Sequence, residues 1–357
     1  MSSRQTGAMR CVGTGFIALD VIRSTSDQGV ILERRHAGGS CGNVLAILSY
    51  MGIGATAVGR IGHDRAGDEL VADLRRSSVD LRFLNVEKDR RTPVVIQEVV
   101  IDSRGRRRHR FSRECPVCGA AMPTYRPLLV TEVAGIAPEL PPHQFFFFDR
   151  VAPGPLELAQ KSRQQGALVI FEPSGIRDDR LFVECLKVAH IFKYSRERLT
   201  DLDAFVTTAP VPLEIETLGL EGLRFRLRRL GRLGAWHHLP AIPSVSFRDS
   251  AGSGDWCTAG VMARLATSGD PLGQLLESDS LIDALRFGQA LAALNCSYDG
   301  ARGLMYAMGR AATLRVAERL AGDGLARLPQ ERAPRSPTRR STRACVVCAS
   351  DLQAAHA

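Results

Sequence analysis

An α/β fold with a mostly parallel central sheet and a small β appendage is what this sequence predicts, on three observations. Strands alternate with helical stretches through the middle of the chain, the order of βα units. The opening run is short, apolar and ends in Gly, as a buried strand does. Two hairpin-like pieces stand apart in the first third and supply the appendage.

Residues 9–14 are that opening strand. Residues 30–35 form a second, leading into the Gly-rich turn His36-Ala37-Gly38-Gly39-Ser40. A helical pattern over 43–51 is stopped by Gly52 and Gly54. Residues 55–59 are strand-like, and 67–77 an amphipathic helix. The runs 93–101 and 107–111 flank Asp102-Ser103-Arg104-Gly105, a hairpin signal. Strand 143–149, helix 155–165, strand 167–171, helix 181–189 and strand 190–194 follow in alternation. Strands at 214–218 and 223–228 precede helices at 255–266 and 280–294. Residues 329–343 are rich in Pro, Arg, Ser and Thr and are expected to be disordered.

The chain has 357 residues, 45% apolar and 24% charged, the balance of a globular protein. No stretch reaches the roughly 18 apolar residues of a membrane span, and residues 1–10 lack the regions of a secretory signal. The cytoplasm is therefore the expected compartment. The net charge of +9 is almost wholly arginine, Lys88, Lys161, Lys187 and Lys193 being the only lysines. Much of it lies at 104–113 and 327–343, and a compositional bias explains it better than a nucleic-acid partner.

The chemistry concentrates in Phe247-Arg248-Asp249-Ser250-Ala251-Gly252-Ser253-Gly254-Asp255, running into a helix. Gly252 and Gly254 let the backbone turn and approach a ligand with no Cβ in the way. The helix start offers unpaired N–H groups to phosphate or to a developing anion. Asp255 stands at the edge of that anion hole, either as an N-cap or as a base that takes a proton from a hydroxyl.

This segment resembles the Asp-Thr-Thr-Gly-Ala-Gly-Asp signature of the ribokinase-like (PfkB) carbohydrate kinases, keeping both Asp and both Gly positions. Gly38-Gly39-Ser40-Cys41-Gly42-Asn43 resembles the family's N-terminal Gly-Gly signature, whose backbone and Asn contact the sugar. Gly59-Arg60-Ile61-Gly62-His63-Asp64-Arg65-Ala66-Gly67 is similar to its Gly-x-x-Gly-x-Asp-x-x-Gly stretch, and Asp20 falls where the family binds substrate hydroxyls. Thr217-Leu218-Gly219-Leu220-Glu221-Gly222 resembles the turn beside the nucleotide, and Asp299-Gly300-Ala301 the Gly-Ala near adenine. Order along the chain makes these weak motifs specific together.

The resemblance implies a three-layer α/β/α sandwich over 9–326, with lid strands at about 30–35 and 93–111 and a Cys-bearing insertion at 114–127. It implies transfer of a phosphoryl group from ATP, with Mg²⁺, to a hydroxyl of a sugar or nucleoside-like substrate. Asp255 would be the base, and amides around Gly252, Ser253 and Gly254 the anion hole. Asp20, Gly38, Gly39 and Asn43 would bind the acceptor. Thr217, Gly219, Gly222, Asp249, Gly300 and Ala301 would serve the nucleotide, and the lid would often also join a homodimer.

The chain departs from the family at two places. The usual Asn-x-x-Glu is Ser195-Arg196-Glu197-Arg198, leaving Glu197, shifted by one, to replace the Mg²⁺-linked carboxylate. The usual Asp-Pro-Asn is Glu172-Pro173-Ser174, which suggests an altered substrate or regulatory site. A catalytically weakened binding or regulatory protein is the alternative these changes favour.

Cys11, Cys41, Cys185, Cys257 and Cys296 stand alone and read as small buried residues. Cys115-Pro116-Val117-Cys118 and Cys345-Val346-Val347-Cys348 are knuckle-like pairs that could together hold a structural Zn²⁺, the second closing a tail at 327–357. A redox pair and functionless thiols are the competing readings. Gly13-Thr14-Gly15-Phe16-Ile17-Ala18, with Glu33 downstream, also matches a dinucleotide fingerprint, a rival that leaves the Gly38 and Asp249 segments unexplained.

Overall fold

The computed structural model describes residues 9–25, 31–101, 107–112, 114–116, 118–323 and 339–340. The first third contains β1 (Arg10–Thr14), β2 (Ala18–Thr25), β3 (Ile31–Gly38), α1 (Ser40–Tyr50), β4 (Gly54–Gly62), α2 (Arg65–Arg76), β5 (Asp80–Glu87), β6 (Val94–Ile101) and β7 (Arg107–Ser112). The middle contains α3 (Val130–Ile136), β8 (Phe145–Phe148), α4 (Pro153–Gln164), β9 (Leu168–Phe171), α5 (Asp179–Val188), β10 (Ile191–Ser195), α6 (Asp203–Thr208) and β11 (Leu213–Thr217). Then come β12 (Leu223–Arg229), β13 (Arg232–Leu233), β14 (His237–Leu239), α7 (Ser253–Leu265), α8 (Pro271–Leu276), α9 (Ser278–Asn295), α10 (Gly303–Ala307), α11 (Arg310–Asp323) and β15 (Arg339–Arg340).

The main sheet has the order β13-β12-β11-β10-β9-β8-β1-β4-β5, with β14 also paired to β12. From β11 to β5 every neighbouring pair is parallel, and β12 joins β11 antiparallel. Strand β8 shows why the sheet is a middle layer. Its four phenylalanines are all fully buried. Phe145 and Phe147 pack on the side of α1, α7 and α9, whereas Phe146 and Phe148 pack against residues of α4 and α5. Alternate side chains leave opposite faces of a strand, so a strand apolar at every position needs helices on both sides. The result is the expected α/β/α sandwich.

A second sheet, β15-β3-β2-β6-β7, is the appendage. Leu19, Val21, Val94 and Ile96 from its strands form a small core with Ala66, Cys115 and Met122. The segment carrying the first cysteine pair therefore packs onto this sheet. The loop 102–106, most of the tail 327–357 and both Cys345 and Cys348 lie outside the described residues.

Several expectations need correction. Gly13–Ala18 leads into β2 and not into a helix, so the dinucleotide fingerprint lacks the element it requires. Asp20 lies within β2, a strand that periodicity missed because polar residues interrupt it. The Gly-rich turn after β3 shrinks to Gly39, since His36–Gly38 still pairs with β2 and α1 starts at Ser40. Among the described residues no helix is long and apolar enough to cross a membrane.

The smaller sheet is tied to α2 and to the loop after α9 through Arg302, which is fully buried in that loop. Its guanidinium donates to the Ala37 carbonyl of β3 and to the Asp73 carboxylate of α2. Burial works against the Asp73 charge, but Arg302, Arg76 and the Ala37 amide together hold it below the usual carboxylate range. Replacing Arg302 with Met removes the buried cation paired with that carboxylate, leaving it Arg76 and the Ala37 amide, and is expected to lower the unfolding free energy by about 3 kcal/mol, read from urea titration.

Candidate active site

The strands of the parallel sheet deliver their C-terminal ends to one edge, where open α/β sheets bind ligands. Gly15, Asp149, Glu172 and Thr217 all stand at or just past such ends, and Lys193 lies within β10, two residues short of its end. Helices α1 and α7 start from the same edge, each after a glycine in a conformation that other residues rarely adopt.

Gly252, the residue before α7, has φ 73° and ψ 1°. A Cβ there would lie 2.6 Å from both Cα and the carbonyl oxygen of Ala301, so the turn is both bent and tightly packed. The Ser253 amide turns back to the Ser250 carbonyl at 3.2 Å. That corrects the expected donor set: the amides of Gly252, Gly254 and Asp255 are the ones that donate to no described group. They are the unpaired donors of a helix start with no side-chain cap.

Asp255 is inside the first turn of α7, which excludes the N-cap reading. Asn43 of α1 donates to its Oδ2 at 2.8 Å. The other amide atom, Asn43 Oδ1, is buried and accepts no hydrogen bond from a described residue. Burial pushes the Asp255 carboxyl up to about 8, with Glu172 adding to the rise; the Asn43 hydrogen bond, Lys193 and Arg198 oppose it.

Asp249 does not face the edge. Its Oδ1 accepts from the Ala251 amide at 2.9 Å and its Oδ2 from the Gly300 amide at 2.7 Å. The carboxylate clasps two loops together, and Trp256 adds a second tie by donating to the Ala301 carbonyl at 2.9 Å. Gly300 and Ala301 thus support the helix start from behind, Gly300 packing against Ile22 and His36 of the smaller sheet.

The Asp20 carboxyl lies across Gly38, where a Cβ would come 2.0 Å from Oδ2. Asp20 is 4% exposed and accepts no hydrogen bond from a described residue. Burial pushes it up to about 7 against the pull of Arg302. Gly39, with φ 75°, is needed because the Phe16 carbonyl oxygen would lie 2.3 Å from its Cβ.

Thr217, Gly219 and Gly222 line the turn from β11 to β12, Gly219 and Gly222 both with positive φ. Glu197 stands beside Gly219, 3.8 Å from where a Cβ would be, and the neighbouring Arg198 is the residue whose charge reaches Asp255. Among the described residues no group of three or more His, Cys, Asp or Glu could hold a metal. Cys115 is buried and Cys118 exposed; the Gly119 amide bonds the Cys115 carbonyl at 2.8 Å, closing the knuckle turn.

Sequence reading missed the pair beneath α7. Lys193 is 2% exposed, with its Nζ 2.5 Å from Glu172 Oε1 and 3.3 Å from the Gly254 carbonyl. Glu172 Oε2 accepts from Thr258 at 2.5 Å. Burial opposes the Lys193 charge, but Glu172, Cys257 and Asp255 together outweigh it and raise the ammonium above its usual range. A lysine within the otherwise apolar strand β10, in a chain with four lysines, was the available signal.

Comparison with known proteins bears on this arrangement. A family model described as pfkB family carbohydrate kinase matches residues 15–113 and 215–306, more than half of the chain. A fructokinase of Klebsiella pneumoniae is 26% identical over 257 residues, covering 66% of this chain and 78% of that protein. Aminoimidazole riboside kinase from Salmonella enterica, solved with aminoimidazole riboside and an ATP analogue, superposes with a TM-score of 0.64 at 20% identity, over 86% of this chain and 100% of that one. Arabidopsis thaliana ribokinase with ribose and ATP gives 0.64 at 19% identity, over 87% and 99%. Fructokinase with bound ATP from Xylella fastidiosa gives 0.65 at 20%, over 87% and 99%.

Gly252→Ala should cost about 1–3 kcal/mol in backbone strain alone. Because the open amides move with that turn, it should also weaken triphosphate binding roughly tenfold or more. Thermal unfolding and calorimetric titration with ATP measure the two effects separately.

Proposed function

This chain belongs to the pfkB family of carbohydrate kinases, and we propose that it moves the γ-phosphoryl group of ATP onto a hydroxyl of a sugar or nucleoside-like molecule. The observation that carries this reading is the Asp255 carboxyl beside three open amides, held by Asn43 from the facing helix. The acceptor hydroxyl gives its proton to Asp255 while its oxygen attacks the γ-phosphorus. The bond to the β–γ bridging oxygen breaks, and ADP leaves with that electron pair. The amides of Gly252, Gly254 and Asp255 receive the charge on the transferring group, and Lys193 behind Gly254 adds to the positive field. Asp20 and Asn43 Oδ1 take the acceptor's other hydroxyls, and the turn at Thr217, Gly219 and Gly222 takes the nucleotide.

Mg²⁺ would neutralise charge on the triphosphate oxygens. The described residues form no cage for it: Glu197 stands alone beside Gly219. The protein's own part in the transfer rests on the amides and Asp255. A homodimer joined through the smaller sheet fits the exposure of Phe111 on β7, which is 63% accessible.

A regulatory role is the second reading, favoured by Arg198 where the family has a carboxylate. A structural Zn²⁺ belongs to it: the Gly119 amide closes a turn onto the Cys115 carbonyl, and Arg339–Arg340 pairs with β3 close in sequence to the second cysteine pair. Metal analysis of the reduced protein decides that point, and lack of stoichiometric zinc rejects it.

Release of ADP over a sugar and nucleoside panel tests the kinase. Asp255→Asn should lower kcat by ~10²–10⁴, and near-normal turnover in that variant removes the assigned base. Because the base must be ionised, kcat/KM should climb with pH and level off above about 8. Asn43→Ala removes a hydrogen bond that favours the carboxylate, so it should shift this rise to higher pH.

A further inference from the structure

The transfer described above makes no use of Arg150, a cation held at the same edge of the sheet. Arg150 follows β8, and its Nη1 donates to the Asp149 carbonyl at 2.8 Å and to Ser174 Oγ at 3.2 Å. The guanidinium lies over Phe16, 4.6 Å from the ring centroid, and 5.6 Å from that of Tyr125. Two rings and two hydrogen bonds fix its plane. Nε and Nη2, the edge that forks onto a carboxylate or phosphate, donate to no described group. The side chain is 22% exposed, so this edge is reachable.

The position relative to Asp255 follows from the chain. Asp149 is 1% exposed and accepts from the Phe16 amide at 2.8 Å, and the Phe16 carbonyl accepts from the Gly42 amide at 3.4 Å. The first turn of α1 therefore has Phe16 and Arg150 on one side and, through Asn43, Asp255 on the other. A small acceptor seated on that turn meets both. The rings are not a free platform for a base, because the guanidinium occupies the Phe16 face. Asp149 Oδ2, 3.4 Å from Nη1, is the carboxylate set against Arg150; burial pushes that carboxyl up, which weakens its claim on the cation. Ser174, where the family has Asn, is short enough to leave the guanidinium room, and Tyr125 arrives on the segment at 114–127 that packs on the smaller sheet.

We propose that Arg150 binds an anionic group of the acceptor, a carboxylate or a phosphate monoester, at the end remote from the hydroxyl that Asp255 activates. This rests on the kinase reading and narrows its substrate class. Arg is suited to the task because its planar fork matches two oxygens at once, and Lys does not.

Matched acceptors test it with the full-length protein: gluconate against glucose, ribonate against ribose, and fructose 6-phosphate against fructose, read as ADP release. The acid or phosphate member should exceed its neutral partner in kcat/KM by on the order of 10²-fold or more. Arg150→Met should remove that preference, mainly through KM, while the neutral partner changes less than about threefold. Arg150→Lys, which keeps charge and stem, should recover only part and guards against a folding defect in the first variant. The carboxylate and phosphate arms tell the two anions apart. Neutral acceptors used as well as anionic ones, with the ratio unchanged by Arg150→Met, overturn this inference and leave the kinase standing. Calorimetric binding of gluconate or fructose 6-phosphate that depends on Arg150 without any turnover supports it and removes the kinase. Neither turnover nor such binding overturns both.

Discussion

A helix that begins without a cap is the constraint on which the rest depends. The amides at the start of α7 remain open because Gly252 adopts a left-handed conformation against Ala301, and no side chain reaches back to cover them. Unpaired backbone donors are costly inside a protein unless water or a ligand takes them. Much of the surrounding structure serves to keep that turn where it is. Asp249 clasps it to the Gly300 loop, Trp256 bonds the same loop, and Asn295 donates to the Ala251 carbonyl at 3.0 Å.

The carboxyl beside those amides is tuned by opposing neighbours. Burial and Glu172 favour its neutral form, while Asn43 and Lys193 favour the charged one. Glu172 cannot act alone, since Lys193 and Thr258 both bind it. The pair beneath α7 thereby places a cation behind the open amides without leaving a bare charge in the interior. On the other side of the cleft, Arg302 joins the Gly300 loop to Ala37 and Asp73, so the smaller sheet and the helix start are parts of one network.

Much of this was legible in the residues. Gly252, Gly254 and Asp255 were found from local pattern, the glycines of a tight turn before a helix start, whereas Gly38, Gly39 and Asn43 were assigned through the family resemblance; the positive φ of Gly39 and Gly252 is the physical reason each is glycine. Other sites escaped it. Asp249 has the spacing of a ligand-binding residue but both oxygens are engaged by backbone amides. Strand β2 was invisible because Asp20, Arg23, Ser24 and Thr25 break its apolar run. Arg150 was passed over because nothing near it in sequence announces Phe16, Tyr125 and Ser174.

Resemblance to the family signatures picked out Asn43; by itself the sequence determined the α/β class, the order of the strands and helices around the motifs, and the glycine turns before α1 and α7. These follow from periodicity and from backbone conformations that only glycine tolerates, both of which act over a few residues. The tertiary structure alone decided which amides stay open, which carboxylates are clasps, and which cations stand near Asp255. Those are matters of distance between segments more than a hundred residues apart in several cases, such as Phe16 with Asp149 and Asn43 with Asp255. Electrostatic roles depend on separation and burial, and neither is set until the parallel strands have brought their C-terminal ends to one edge.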